Sequence, residues 1–212
     1  MAASQHKSNF YTPDLFVEAC GAIVFDGHDS NTEDSNTTTT TTSTRSSQKR
    51  ILLLYHPTKD VWLLPKGRRN LDESRRATAV REVREESGFA ITLVHLKLPT
   101  RAPADNEPFD VRDEARVYER AIVEPFMLDV RDLGKGQGVK LVWWFIGELD
   151  RRGNSGGGGG GGEGEGNNGV GEEQFEARFV DAGSAVERLT FLRDRFVVQR
   201  AIEVLERQDK LQ

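Results

Sequence analysis

From about Glu73 to Ser87 the sequence ESRRATAVREVREES carries a pattern that few helices hold without help. At 100° per residue, Glu82, Glu85 and Glu86 fall in one sector and Ala77, Val80 and Val83 point to roughly the opposite side, so one face is carboxylate and the other is core. Gly88 suits the C′ position that closes such a helix. Like charges at i, i+3 and i, i+4 repel by about 0.2 to 0.5 kcal/mol per pair. Three together need good solvation, a partner such as Arg81 four residues before Glu85, or a compensating cation. A hard divalent ion suits them, because Mg²⁺ takes a few carboxylate oxygens and keeps positions open for water and for phosphate oxygens.

The flanking chain reads as strands interrupted by two biased tracts. Phe16 to Phe25 and Arg50 to Tyr55 are apolar runs expected to form a hairpin around a Ser/Thr/Asn-rich tract from His28 to Gln48. A Gly-rich tract runs from Gly153 to Gly171. Poly-Thr has little to bury and poly-Gly loses the most backbone entropy on ordering, so both tracts are expected to be disordered loops. Val61 to Leu64 reads as a short strand and Pro65 to Asp72 as a loop. Ile91 to Leu98, Val117 to Leu128 and Val139 to Leu149 read as strands, with a polar surface insert from Pro99 to Arg116. Phe175 to Val180 alternates as a strand, Ala182 to Leu189 suggests a short helix, and Arg193 to Gln208 a longer one with Phe196, Val197, Ala201, Ile202 and Leu205 as its apolar stripe. Strands in runs with helices interspersed predict an α+β fold, a mixed sheet with helices on its faces. The expected organisation is a tail over residues 1–15 and one domain over 16–208.

The box around the helix is specific. Gly67, Glu73, Arg81, Glu82, Glu85, Glu86 and Gly88 match the pattern G-x5-E-x7-R-E-U-x-E-E-x-G-U, with Val83 and Phe89 at the apolar U positions. At ordinary residue usage, these fixed positions coincide by chance on the order of 10⁻⁹ per starting point. The pattern resembles that of the Nudix hydrolases, whose fold is a mixed β-sheet between helices in an α/β/α sandwich. The resemblance implies cleavage of a diphosphate linkage in a phosphorylated small molecule by metal-activated water, with Mg²⁺ as the ion and Mn²⁺ as the alternative. It implies that Glu82 and Glu86 hold the cation and that Gly67 permits the tight loop and offers its carbonyl to the metal. Glu85 is then a metal ligand or the general base, while Arg81 and Glu73 pair to hold the loop against the helix.

Lys66, Arg68 and Arg69 flank Gly67, where cations would neutralise charge on phosphate oxygens. The lead-in WLLPKG is similar to the W-x-x-P-K-G of dinucleoside tetraphosphate hydrolases and mRNA decapping enzymes. Lys59, Lys97, Arg101 and Arg112 would add to the field if folded nearby. A field of that kind favours a long polyanion, so the expected substrate is a dinucleoside polyphosphate, such as diadenosine tetraphosphate, or a diphosphoinositol polyphosphate. Decapping of mRNA and non-catalytic ligand binding on the same fold are the alternatives.

The remaining features exclude more than they assign. A net charge of −5 gives no general attraction to nucleic acid or acidic lipid, so capped RNA is the one nucleic-acid partner compatible with this reading. No apolar run approaches the roughly 20 residues of a membrane span. The N-terminus MAASQHKSNFYTPDLF has no apolar leader, and the expected location is the cytoplasm, with the nucleus as a second compartment. Cys20, the single cysteine, precludes an internal disulfide and reads as core. GKGQG at Gly134 to Gly138 lacks the Lys-Ser/Thr of a phosphate loop and reads as a turn. His56 and His95 read as structural, and Trp62, Trp143 and Trp144 as core.

Overall fold

A computed structural model describes residues 8–26, 49–105, 107–108, 110–151 and 175–210. The Ser/Thr/Asn-rich and Gly-rich tracts lie outside the described residues, as do residues 1–7 of the tail.

An eight-stranded mixed sheet forms around two long strands, β1 (Phe16–Asp26) and β9 (Val139–Leu149), which run parallel in register from Phe16↔Val139 to Phe25↔Glu148. Both strands are apolar almost throughout, as a strand covered on both faces must be. The path continues through β2 (Arg50–His56) to β10 (Glu176–Asp181) on one side and to β5 (Ile91–Leu93) on the other. β3 (Val61–Leu63) adds to β2, β4 (Lys66–Arg68) to β1, and β8 (Met127–Asp132) to β9. The short pair β6 (Pro99–Thr100) and β7 (Arg116–Val117) stands apart as a second sheet.

Strand alternation divides the core in two. Cys20, Ala22 and Val24 face α1 (Arg75–Ser87), together with Leu52, Leu54 and Phe145. Ala19, Ile23 and Phe25 face the other way, with Val142 and Trp144, toward α2 (Ala182–Arg188) and α3 (Leu192–Asp209). Helices therefore cover both faces of the mixed sheet, the α+β sandwich expected from the order of elements. Cys20 is fully buried, and burial pushes its thiol up to about 11. No helix among the described residues is long and apolar enough to cross a membrane.

Several expectations need correction. The stretch Pro65 to Asp72 is not all loop, because β4 pairs antiparallel with β1 through Ala19↔Arg68, Cys20↔Gly67 and Gly21↔Lys66. A strand reading Lys-Gly-Arg has no hydrophobic period to announce it and exists through its backbone ladder. Val117 to Leu128 is not one strand either. It holds the end of β7, an isolated Leu96↔Ile122 bridge and the start of β8, with Pro125 between them lacking the N–H a ladder requires. Ile91 to Leu98 is strand only in β5. On α3 the buried side is Val197, Val198, Ala201 and Val204, with Ile202 and Leu205 packed at its margin, whereas Phe196 is 62% exposed. Of the tryptophans only Trp144 is fully buried, and Trp62 and Trp143 are half-buried. The GKGQG segment is the turn between β8 and β9. Its glycines have φ of +70°, +73° and +82°, and at Gly138 a Cβ would meet the Leu15 carbonyl oxygen at 1.7 Å.

Candidate active site

Helix α1 begins two residues later than its sequence pattern suggests, because Ser74 caps it: the Ser74 Oγ accepts from the Ala77 N–H at 3.1 Å. It ends at Gly88, left-handed at φ +79°, whose N–H returns to the Arg84 carbonyl. These two stops place Glu82, Glu85 and Glu86 in the last two turns.

The rotation of the helix differs from the simple two-faced picture. Ala77 is exposed, and Glu82 is buried beside Ala79 and Val83. Gly67 makes this possible. A Cβ at that position would stand 1.7 Å from the Glu82 Oε2, so the absence of a side chain opens the space into which the carboxylate folds against β4. One turn later, the Glu86 Oε2 accepts from the Lys66 N–H at 2.7 Å. Two carboxylates on successive turns thus clasp the backbone at Lys66 and Gly67.

Arg81 ties the assembly together. Its Nε and one terminal nitrogen donate to the two oxygens of Glu73 at 2.8 and 2.9 Å. The other terminal nitrogen donates to Glu82 and to Glu85, both at 2.7 Å, and a further bond at 3.0 Å reaches the Arg68 carbonyl. Every guanidinium N–H is spent between the helix and the loop. Glu73 also accepts from the Asn70 N–H and the Thr78 hydroxyl. The hydrogen bonds from Arg81 hold the Glu73 carboxyl down to about 2. Burial pushes the Glu82 carboxyl upward against the pull of Arg81, with Glu85 and Glu73 adding repulsion. An excess of buried negative charge of this kind is what a bound cation relieves.

Because the Glu73 carboxyl is depressed in the fold, its contribution is present above its ordinary value of 4.5 and is lost as pH falls toward about 2. Glu73→Gln is expected to cost about 2 kcal/mol of unfolding free energy at neutral pH, a difference that closes in acid. Denaturant titrations of both proteins from pH 7 to pH 2 measure it, and parallel curves would remove Glu73 as the anchor of Arg81.

Among the described residues, no group of three or more His, Cys, Asp or Glu side chains converges to enclose a metal ion. Two carboxylates, Glu82 and Glu86, instead lie beside a glycine backbone, with Glu85 more exposed at the rim. This suits Mg²⁺, which binds through one or two carboxylates and completes its shell with water and substrate phosphate.

The loop cations divide between the two faces of the sheet. Lys66 and Arg68 lie opposite Gly21 and Ala19, on the α3 side. Arg69 turns to the α1 side, where it donates to Glu18 at 3.0 Å and to the carbonyl of Glu73. Arg75 joins it on Glu18 and stacks 3.9 Å from the centre of the Trp143 ring, while the Trp143 Nε1 also donates to Glu18. Burial pushes the Glu18 carboxyl up, but the bonds from Arg75, Trp143 and Arg69 carry it below its ordinary value. A cleft of about 590 Å³ opens here, beside the start of α1, and its arginines are already matched to Glu18 and Glu124.

The more distant cations suggested by sequence do not assemble around Glu82 and Glu86. Arg101 pairs with Asp113 at 2.6 Å, Arg112 is 87% exposed beside Glu114, and the Lys97 backbone binds Gln208. Two cations that sequence reasoning missed are on the same face as Lys66 and Arg68, namely Lys140 on β9 and Arg131 on β8. A lysine near the start of a mostly apolar strand was the available signal for the first.

The NUDIX domain family model matches residues 39–131, which include the whole of β4, the loop and α1. The fold is also that of solved members. A NUDIX-family hydrolase from Clostridium perfringens superposes at a TM-score of 0.52 with 12% identity, covering 92% of this chain and 99% of the other. The NUDIX domain of Shewanella oneidensis NrtR, solved with ADP-ribose, gives 0.51 with 14% identity over 92% and 94%. A C. elegans Ap4A hydrolase binary complex gives 0.50 with 13% identity over 89% and 97%. No curated protein sequence matches. Residues 39–131 are thus similar to the Nudix hydrolase family, and the fold is the one its solved members share. Members are typically pyrophosphohydrolases, acting on a diphosphate bond in a small phosphorylated substrate with a divalent metal.

Proposed function

We propose that this protein hydrolyses a phosphoanhydride bond in a dinucleoside polyphosphate or a diphosphoinositol polyphosphate, with Mg²⁺ held by Glu82, Glu86 and the Gly67 backbone. The observation that carries the reading is the clasp of Glu82 and Glu86 around the backbone at Lys66 and Gly67. When bound, the divalent cation supplies a lowered water pKa and neutralisation of the diphosphate. Glu85, exposed at the rim and restrained by Arg81, takes the proton from the attacking water. Arg81 and Glu73 keep the carboxylates aimed, so their effect reaches the reaction through Glu82 and Glu85. Lys66 and Arg68, whose side chains make no ion pair among the described residues, meet the charge that develops on phosphate oxygens.

The test is phosphate release with and without Mg²⁺ across nucleoside triphosphates, dinucleoside polyphosphates, diphosphoinositol polyphosphates and ADP-ribose. Turnover should require the metal. Combining Lys66→Ala with Arg68→Ala should reduce kcat/KM at least tenfold more for the longer polyphosphates than for ADP-ribose. Equal losses on both would show that these cations do not select chain length, and metal-independent release would sink the mechanism.

A further inference from the structure

Residues 66–77, which carry the chain from β4 through the loop into the start of α1, include none that is buried. Leu71, the one apolar side chain of the loop, is 90% exposed, and Asp72 beside it is left-handed at φ +59°. With no side chain in the core, the stretch is seated by the β4 ladder and by polar bonds. It nevertheless delivers Glu73, on which Arg81 is anchored, and Arg81 in turn holds Glu82 and Glu85. The aim of those carboxylates therefore depends on what fixes the loop to the sheet.

Glu18 stands at that point. It lies on β1, between β4 and β9, and its side chain is 12% exposed. Its Oε2 accepts from the Arg69 Nε, and its backbone carbonyl accepts from the Arg69 N–H, both at 3.0 Å. Its Oε1 accepts from the Nε and a terminal nitrogen of Arg75 at 2.9 and 2.6 Å, and from the Trp143 Nε1 at 2.9 Å. One carboxylate thus grips the loop at both ends, at Arg69 where the chain leaves β4 and at Arg75 where it enters α1. Arg69 passes that hold along the loop, since one of its terminal nitrogens donates to the carbonyls of Asn70 at 3.3 Å and Glu73 at 3.0 Å. A phosphate approaching Arg69 from this side would have to displace the negative Glu18, so the geometry favours a mechanical role for this arginine over contact with substrate.

We propose that Glu18 is a positioning residue for the hydrolytic site, which fixes the main chain at Glu73 through Arg69 and so sets the carboxylates that Arg81 aims. The proposal rests on the hydrolase reading above for the reaction, and on the cation-binding part of it alone for the metal affinity. From Glu18 to Arg69, Glu73, Arg81 and then Glu82 and Glu85, each link is a hydrogen bond of 3.0 Å or less with a charged donor. Coupling along such a path shows itself as non-additive losses when two of its members are changed together.

Glutamine at position 18 offers one acceptor where the carboxylate offers two. Because Oε1 receives three donor nitrogens and Oε2 only one side-chain donor, Glu18→Gln should keep Arg75 and Trp143 and turn its NH2 against the Arg69 guanidinium. Arg69→Met cuts the same link at a side chain 31% exposed, which keeps the test open if Glu18→Gln does not fold. Mn²⁺ affinity, measured from the electron paramagnetic resonance signal of the free ion, should fall about tenfold in each variant. The amides of residues 70–73 should exchange with solvent faster. On any diphosphate substrate that the parent turns over, kcat should drop about tenfold while KM stays within about threefold. The double variant should lose about as much as the worse single, whereas independent roles would multiply to about a hundredfold. A lower melting temperature with parental Mn²⁺ affinity and kcat would reduce Glu18 to a structural residue and overturn the proposal. So would multiplied losses, or a raised KM at unchanged kcat, which would put Arg69 on the substrate. If the parent hydrolyses no diphosphate at all, the hydrolase reading fails by itself, and Mn²⁺ affinity with amide exchange still decides the role of Glu18.

Discussion

Glu86→Gln is expected to lower kcat at least a hundredfold while leaving the melting temperature almost unchanged. The Glu86 Oε2 accepts from the Lys66 N–H at 2.7 Å, and the amide oxygen of glutamine can accept the same bond, so the loop stays seated. What disappears is the negative charge that Glu86 offers to a cation, and a neutral amide is a far weaker ligand for Mg²⁺. Glu85→Gln should lose at least as much for another reason. Glu85 is 57% exposed in its side chain and makes its bond to Arg81 at the rim, so removing its charge costs the fold little but takes away the proposed base for the attacking water. Steady-state kinetics with thermal melts measure both. Near-normal turnover in the two variants together would eliminate the proposed site.

Gly67→Ala should cost about a hundredfold in kcat/KM and raise the Mg²⁺ concentration needed for half-maximal rate. A Cβ at Gly67 would sit 1.7 Å from the Glu82 Oε2, 2.1 Å from its carboxyl carbon and 2.4 Å from its Oε1, so the carboxylate has to leave. The clash is with a side-chain end, and the β4 pairing with Cys20 is made by backbone, so the sheet survives. Glu82 is also one of the carboxylates on Arg81, and its displacement loosens the bond pattern that aims Glu85. Catalysis should thus fall much further than stability. Retention of the parent's metal dependence would show that Glu82 reaches its cation by another route than the space above Gly67.

The parts of this protein that were legible in the chain are those governed by local rules. Periodicity located β1, β9, α1 and α3, and Gly88 closed α1 because only a left-handed residue suits that point. The spacing of Gly67, Glu73, Arg81, Glu82, Glu85 and Glu86 identified the box because those positions are read along a single loop and helix. Charge and composition were equally direct, since they need no coordinates.

Tertiary structure decided the rest. β4 is a strand because β1 presents a backbone edge to it, and three residues reading Lys-Gly-Arg carry no period by which that could be known. Glu82 turned inward while Ala77 turned out, since the rotation of α1 is set by Ala79 and Val83 against the sheet and by the vacancy above Gly67, none of which a helical wheel contains. Arg68 and Arg69 are neighbours in sequence and stand on opposite faces of the sheet, because side chains alternate along an extended backbone. Lys140 and Arg131 come onto the face that carries Lys66 and Arg68 from far along the chain because the parallel pairing of β9 with β1 and the antiparallel pairings of β8 with β9 and of β4 with β1 set one register for all four strands. Sequence spacing determined which residues share a helix turn; the sheet's register, a long-range backbone property, determined which cations share a face.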